Sequence, residues 1–205
     1  MRKTLIICNG AKEPAAYLRE LAQKHFVICV DGGANIAAAS GVTPDIIVGD
    51  LDSVTAATKR KFAKVKMIKI SRQDNTDFEK ALDYAKKLKL KDITIVCATG
   101  KRLDFTLSNL YSSFKYLSKM KISFVGRGWA IYPTNKTTKF KCTPDKRVSL
   151  IPATDCSGIT LVNLKFPLTN VTLGATQTLT LSNSTVKRSF EVKIKRGGLF
   201  VYLEK

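Results

Sequence analysis

Short apolar, β-branched runs recur through the first 126 residues, each separated from the next by an amphipathic stretch. The runs at 4–8, 26–30, 45–48, 66–70, 93–97 and 122–125 predict strands. Residues 14–24, 54–62, 76–88 and 103–117 carry apolar positions at helical spacing. Six strands with intervening helices predict an α/β domain built on a doubly wound, mostly parallel sheet. Past residue 130 the texture changes to Thr, Val, Leu, Asn and Gly, and alternation replaces helical spacing at 158–162, 178–181 and 190–194. This predicts a small all-β sandwich, with domains at 1–130 and 131–205 and the join near Tyr132-Pro133-Thr134-Asn135.

Charge alters this ordinary picture. The chain has 205 residues, 44% apolar and 25% charged, but 35 Lys and Arg against 16 Asp and Glu give a net charge of +19. Such an excess suits nucleic acid, acidic membranes or phosphorylated small molecules. Much of it lies in stretches such as Lys59-Arg60-Lys61 and Lys86-Lys87, at predicted helix ends where lysine favours the negative dipole. Aromatic residues are not interleaved with these charges, which argues against single-strand binding. The expected partners therefore exclude nucleic acid. No run is long enough to span a membrane and no signal segment is visible, so the expectation is no membrane association and a cytoplasmic protein. The five cysteines form no C-x-x-C pair and read as reduced core thiols.

In a chain so poor in acid, six aspartates fall in polar clusters just after predicted strands: Asp31, Asp50, Asp52, Asp74, Asp77 and Asp104. The carboxyl ends of strands form the ligand crevice in open α/β sheets, and carboxylates that converge there repel unless a cation joins them. In Gly49-Asp50-Leu51-Asp52-Ser53, extended geometry would point Asp50 and Asp52 to one side, an arrangement suited to Mg²⁺. The plain alternative is a turn that caps the next helix. Asp31-Gly32-Gly33-Ala34-Asn35 would bring backbone N–H groups to a phosphate or ribose, or serve only as tight-turn chemistry. Thr76 and Glu79 fit a capping box, which leaves Asp74 unexplained. The loop Gly100-Lys101-Arg102-Leu103-Asp104 sets two cations beside a carboxylate; with a metal, it indicates a polyphosphate substrate.

Taken in order and spacing, Asp31-Gly32-Gly33-Ala34-Asn35, Pro44-Asp45 leading into Gly49-Asp50-Leu51-Asp52-Ser53, Gln73-Asp74-Asn75-Thr76-Asp77 and Gly100-Lys101-Arg102-Leu103-Asp104 resemble the thiamin pyrophosphokinase family. The later chain resembles that family's β domain more loosely, through Ser149-Leu150-Ile151-Pro152, Leu164-Lys165-Phe166-Pro167-Leu168 and Ser182-Asn183. The resemblance implies transfer of pyrophosphate from ATP to the hydroxyl of thiamin, giving AMP and thiamin pyrophosphate. It implies Mg²⁺ held by Asp50, Asp52 and Asp77. Asp31, Gly32, Gly33, Asn35, Gly100, Arg102 and Asp104 would line the nucleotide side, with Gln73 and Asp74 near the acceptor. Asp50, Asp52, Asp74, Asp77 and Asp104 would form the catalytic set. The resemblance further implies a homodimer that holds thiamin between the α/β domain of one subunit and the β domain of the other, where Ser182 and Asn183 would bond the aminopyrimidine. For Ser182 and Asn183, a turn between strands explains the pair equally well.

Three positions depart from the family's pattern. Phe105 stands where bacterial members often carry His, and Cys97 and Lys101 stand where Gly is usual. The rival readings are a pyrophosphokinase for another hydroxymethyl heterocycle, such as a pterin, and a non-catalytic basic protein that binds nucleotides or nucleic acid.

Overall fold

The computed structural model describes residues 3–72 and 74–205. They divide into two compact units at Arg127/Gly128. All six predicted strands of the first unit form: β1 Lys3–Ile7, β2 His25–Val30, β3 Ile46–Gly49, β4 Lys66–Lys69, β5 Asp92–Val96 and β6 Lys121–Gly126. They pair in parallel in the order β6-β5-β1-β2-β3-β4. The chain thus winds outward from β1 to β4, then returns to lay β5 and β6 on the other side of β1. Leu5, Ile6, Ile7, Ile28, Ile47, Ile93 and Phe124 have no measurable exposure, as expected of strands covered on both faces.

The helices are α1 Ala15–Gln23, α2 Gly33–Ser40, α3 Ala56–Lys61, α4 Asp77–Lys87 and α5 Leu103–Ser112. The single helix expected to reach 117 instead tightens into a 3-10 turn at Ser113–Tyr116. There Ser112 and Ser113 donate their hydroxyls back to the carbonyls of Asn109 and Leu110, a local bond that competes with regular helix. The capping box on α4 is present in full, with Glu79 N–H donating to Thr76 Oγ1 at 3.2 Å and Thr76 N–H to Glu79 Oε2 at 3.3 Å.

Glu79 also accepts from Lys115 Nζ at 2.7 Å. Burial by itself pushes its carboxyl up, but the bonds from Lys115 and Thr76 outweigh burial and hold it below the ordinary glutamate range. Stability from this group is therefore complete above about pH 4.3 and lost as the pH falls through the lower folded value. Glu79→Gln is expected to cost about 1 kcal/mol at neutral pH and to lose less on acidification than the parent. Urea midpoints at pH 7 and pH 3 check this; an equal drop in both proteins would refute it.

The second unit is all-β. One sheet runs β12-β9-β14-β7 and the other β11-β10-β13-β8, with antiparallel pairing throughout. The strands are β7 Trp129–Thr134, β8 Thr138–Lys141, β9 Arg147–Pro152, β10 Cys156–Val162, β11 Leu168–Leu173, β12 Asn183–Ser184, β13 Ser189–Lys193 and β14 Leu199–Glu204. Phe140, Val148, Leu150, Leu161, Phe190 and Val201 from both sheets share one core, in which Phe140 and Phe190 stack at 4.9 Å. The fold is the α/β unit followed by a sandwich that the patterning predicts.

Two details differ from that reading. Tyr132-Pro133-Thr134 lies inside β7, paired with β14, rather than in a linker. Residues 178–181 are a turn rather than a strand. Their Thr/Leu alternation is inverted relative to burial, because Thr180 is buried and bonds Leu150 O at 2.6 Å while Leu179 is 73% exposed.

Candidate active site

The winding order creates a switch point between β1 and β5, and in such sheets ligands bind in the crevice beyond the carboxyl ends of the strands. A cavity of about 340 Å³ lies there, lined by residues that follow β1, β2, β3 and β5 and by the first turns of α4 and α5. The loops that frame it are tied together by backbone. Gly10 N–H donates to Cys97 O at 2.6 Å and Ala11 N–H to Thr99 O at 2.7 Å. Lys101 Nζ adds bonds to Asn9 O and Asn9 Oδ1 at 3.1 and 3.2 Å. Cys97 and Lys101 have φ of +56° and +51°. Glycine would reach that left-handed region without a Cβ penalty, so the backbone at both positions suits the glycine that the resemblance implies there.

Three carboxylates converge at the crevice. One oxygen from each of Asp31, Asp50 and Asp77 lies within 4.8 Å of the others. Asp31 follows β2, Asp50 follows β3 and Asp77 opens α4, so residues 46 positions apart meet through strand pairing. Asp31 is 6% exposed, its Oδ1 has no hydrogen-bond partner, and burial pushes its carboxyl up. An unpartnered buried acceptor beside two further carboxylates is the chemistry of a hard-cation site, so these residues fit Mg²⁺.

Asp52, expected on chemical grounds beside Asp50, is not in this trio. The extended run stops at Gly49, and Leu51 adopts φ +68°. The chain turns back so that Asp52 N–H meets Asp50 Oδ1 at 3.3 Å, and the exposed Asp52 carboxylate accepts from Ser53 Oγ at 2.9 Å. Same-side alternation needs extended backbone on both sides of Leu51, and the left-handed residue removes it. Asp31 takes the place in the cluster that spacing assigned to Asp52.

The remaining expected residues divide between the crevice and the scaffold. Gly100, Arg102 and Asp31 line the cavity, while Gly32 and Gly33 begin α2 beside it. Arg102 forms an exposed bidentate pair with Asp104, Nε to Oδ1 at 3.1 Å, which holds the Asp104 carboxyl below its usual range. The same guanidinium lies 4.3 Å from the centroid of Phe105. Asn35 spends its amide on the scaffold, with Nδ2 donating to Ser53 O and Oδ1 accepting from Thr55 N–H and Oγ1, so it anchors the acidic loop. Asp74 is exposed and pairs with Arg72 at 2.8 Å. Gln73 lies outside the described residues.

In the β unit, Ser182 is exposed and Asn183 is buried. Asn183 Oδ1 accepts from the N–H groups of Phe166 and Ser184, and Nδ2 donates to Phe166 O at 2.8 Å. Its amide therefore clamps the turn that carries the exposed Phe166, and Asn183 itself begins the two-residue strand β12. Three participants carried no signal in the motifs: Asn9, whose side chain and carbonyl hold Lys101; Asn109, buried at the cavity with Oδ1 unpartnered; and Lys80. A buried lysine on an amphipathic helix is indistinguishable by spacing from a solvated one.

A doubly wound unit with a cation-competent acidic trio and a basic loop at its switch point belongs among the phosphate-handling α/β proteins. The family model for the thiamin pyrophosphokinase catalytic domain matches residues 17–125, and that for the thiamin pyrophosphokinase vitamin B1 binding domain matches residues 136–199. A thiamine pyrophosphokinase of Bacillus subtilis (strain 168) is 29% identical over 196 residues, 91% of either chain. A crystal structure of thiamine pyrophosphokinase from Bacillus subtilis superposes with a TM-score of 0.86 at 25% identity, covering 99% of both chains. Yeast thiamin pyrophosphokinase shares the fold, with a TM-score of 0.82 at 18% identity over 99% of this chain and 86% of its own. The chain belongs to the thiamin pyrophosphokinase family, and it is accordingly a pyrophosphokinase. Among the described residues, no helix is long and apolar enough to cross a membrane.

Proposed function

We propose that this chain transfers a pyrophosphoryl group from Mg²⁺-bound ATP to the hydroxyl of thiamin, releasing AMP and thiamin pyrophosphate, and that it does so as a homodimer. The observation that carries the reading is the convergence of Asp31, Asp50 and Asp77 at the switch-point crevice, where Lys101 and Arg102 share the cavity lining with Asp31 and Asp77. Those three carboxylates would hold Mg²⁺, which when bound neutralises phosphate oxygens during the transfer. Lys101 and Arg102 line that cavity and would bind phosphate there.

The reaction forms one bond, from the acceptor oxygen to the β-phosphorus, and breaks one, from that phosphorus to the oxygen bridging to the α-phosphate. AMP leaves with the bond's electrons, and the hydroxyl proton passes to a carboxylate or to water. Positioning and charge neutralisation supply most of the catalysis in such a loose transition state. Asp52 and Asp104, both exposed, would contribute on the phosphate side, and the exposed Asp74 would stand on the acceptor side.

Purified protein given Mg²⁺, ATP and thiamin is expected to release AMP and thiamin pyrophosphate in equal amounts, and neither product when thiamin or Mg²⁺ is withheld. Light scattering on the same preparation checks the dimer. AMP release that requires a hydroxymethyl pterin instead of thiamin would replace the proposed acceptor, and no AMP with either would refute the transfer.

A further inference from the structure

Lys80 is a lysine that the fold buries almost completely, with 2% exposure. It sits one turn after Asp77 on α4, and its Nζ donates to Asp77 Oδ1 at 2.9 Å. Asp77 is the only hydrogen-bond partner of this ammonium among the described residues. The neighbouring acid on α4, Glu79, is committed elsewhere, to Lys115 and Thr76. A buried ammonium is costly unless paired, and so is a cluster of three carboxylates without a counter-charge. At this site each offsets the other. Asp77 Oδ2 accepts no hydrogen bond from the described residues, so an oxygen remains for a ligand while the ion pair fixes the carboxyl.

The geometry points to Lys80 as the standing counter-charge of the cation site: paired to one oxygen of Asp77, it makes the acidic trio tolerable when no cation is bound and lowers the site's charge from three negative to two. The inference rests on the reading of Asp31, Asp50 and Asp77 as a cation site. Two consequences separate it from simple packing. Removing the ammonium should destabilise the metal-free protein because it strands a carboxylate, and removing Asp77 as well should restore part of the loss. Cation uptake should then tighten, because the site has lost a like-charged competitor; the expected gain is on the order of ten-fold. A divalent ion bound more tightly stabilises the folded state more, so the variant should close on the parent when the ion is added.

The test compares the parent, Lys80→Met and Lys80→Met/Asp77→Asn by thermal melting, in EDTA and in excess Mn²⁺, with free Mn²⁺ counted by electron paramagnetic resonance and no nucleotide present. In EDTA, Lys80→Met is expected to melt below both the parent and the double variant. In Mn²⁺ its deficit should shrink, and its Mn²⁺ dissociation constant should fall. A deficit equal in EDTA and Mn²⁺, or weaker Mn²⁺ binding by Lys80→Met, would overturn the role of Lys80 while leaving the cation site standing. A parent protein that takes up no Mn²⁺ would overturn the cation site itself and this role with it. If Lys80→Met fails to fold, the double variant decides: folding in EDTA supports the pairing of charges, and failure to fold refutes it.

Discussion

Asp50→Asn is expected to keep the fold and lose turnover by roughly 10²–10³-fold, because a carboxylate that holds a divalent ion against phosphate supplies several kcal/mol of transition-state stabilisation. Its stability should move the other way. Asp31, Asp50 and Asp77 crowd within 4.8 Å, so replacing one charge by an isosteric amide relieves repulsion, and the metal-free melting temperature should be unchanged or higher. Asp52→Asn is the internal control. The Asp52 carboxylate bonds Ser53 and is not one of the three that converge, so its loss should be about ten-fold or less. Steady-state rates across Mg²⁺ concentrations decide between the acids: equal losses at Asp50 and Asp52 would restore the Asp50-Asp52 pair suggested by the D-x-D spacing, and near-parental activity of Asp50→Asn would remove the cation site.

Gly33→Ala is expected to have the largest effect on the fold. A Cβ at this position would lie 2.2 Å from the carbonyl oxygen of Ile7 and about 3 Å from the backbone carbons of Ile7 and Cys8. Those atoms end β1, the strand paired on both sides at the centre of the α/β sheet, and cannot move aside. The start of α2 must therefore separate from the strand, at a cost of about 3 kcal/mol or more, a fall of roughly 6–12 °C in melting temperature. Gly32→Ala meets instead the side chain of Asn9, with Nδ2 at 2.2 Å, which can swing away. It should be milder in stability but should break the bond from Lys101 to Asn9 Oδ1, leaving the one to the Asn9 carbonyl. Calorimetry of both variants checks the contrast; a Gly33→Ala protein as stable as Gly32→Ala would show that helix and strand are not in close contact here.

The order of elements was written in the sequence because hydrophobic period and turn chemistry act over a few residues. Six β-branched runs became six parallel strands, and Thr76 with Glu79 formed the capping box their spacing required. The motif spacing also pointed to the family. Which side chains meet was decided by non-local pairing and by single backbone dihedrals. β2, β3 and α4 bring Asp31, Asp50 and Asp77 together across the sheet, while one left-handed residue, Leu51, turns Asp52 away. Asn35 and Asn183 look like ligand-binding amides in isolation, yet packing places backbone donors and acceptors within reach and they are consumed there. Lys80 illustrates the limit most sharply. In a chain with 35 basic residues its spacing on α4 marks only one more helical lysine. Its burial and its carboxylate partner exist only once that helix is packed on the sheet, because neighbours distant in the chain set desolvation and charge pairing.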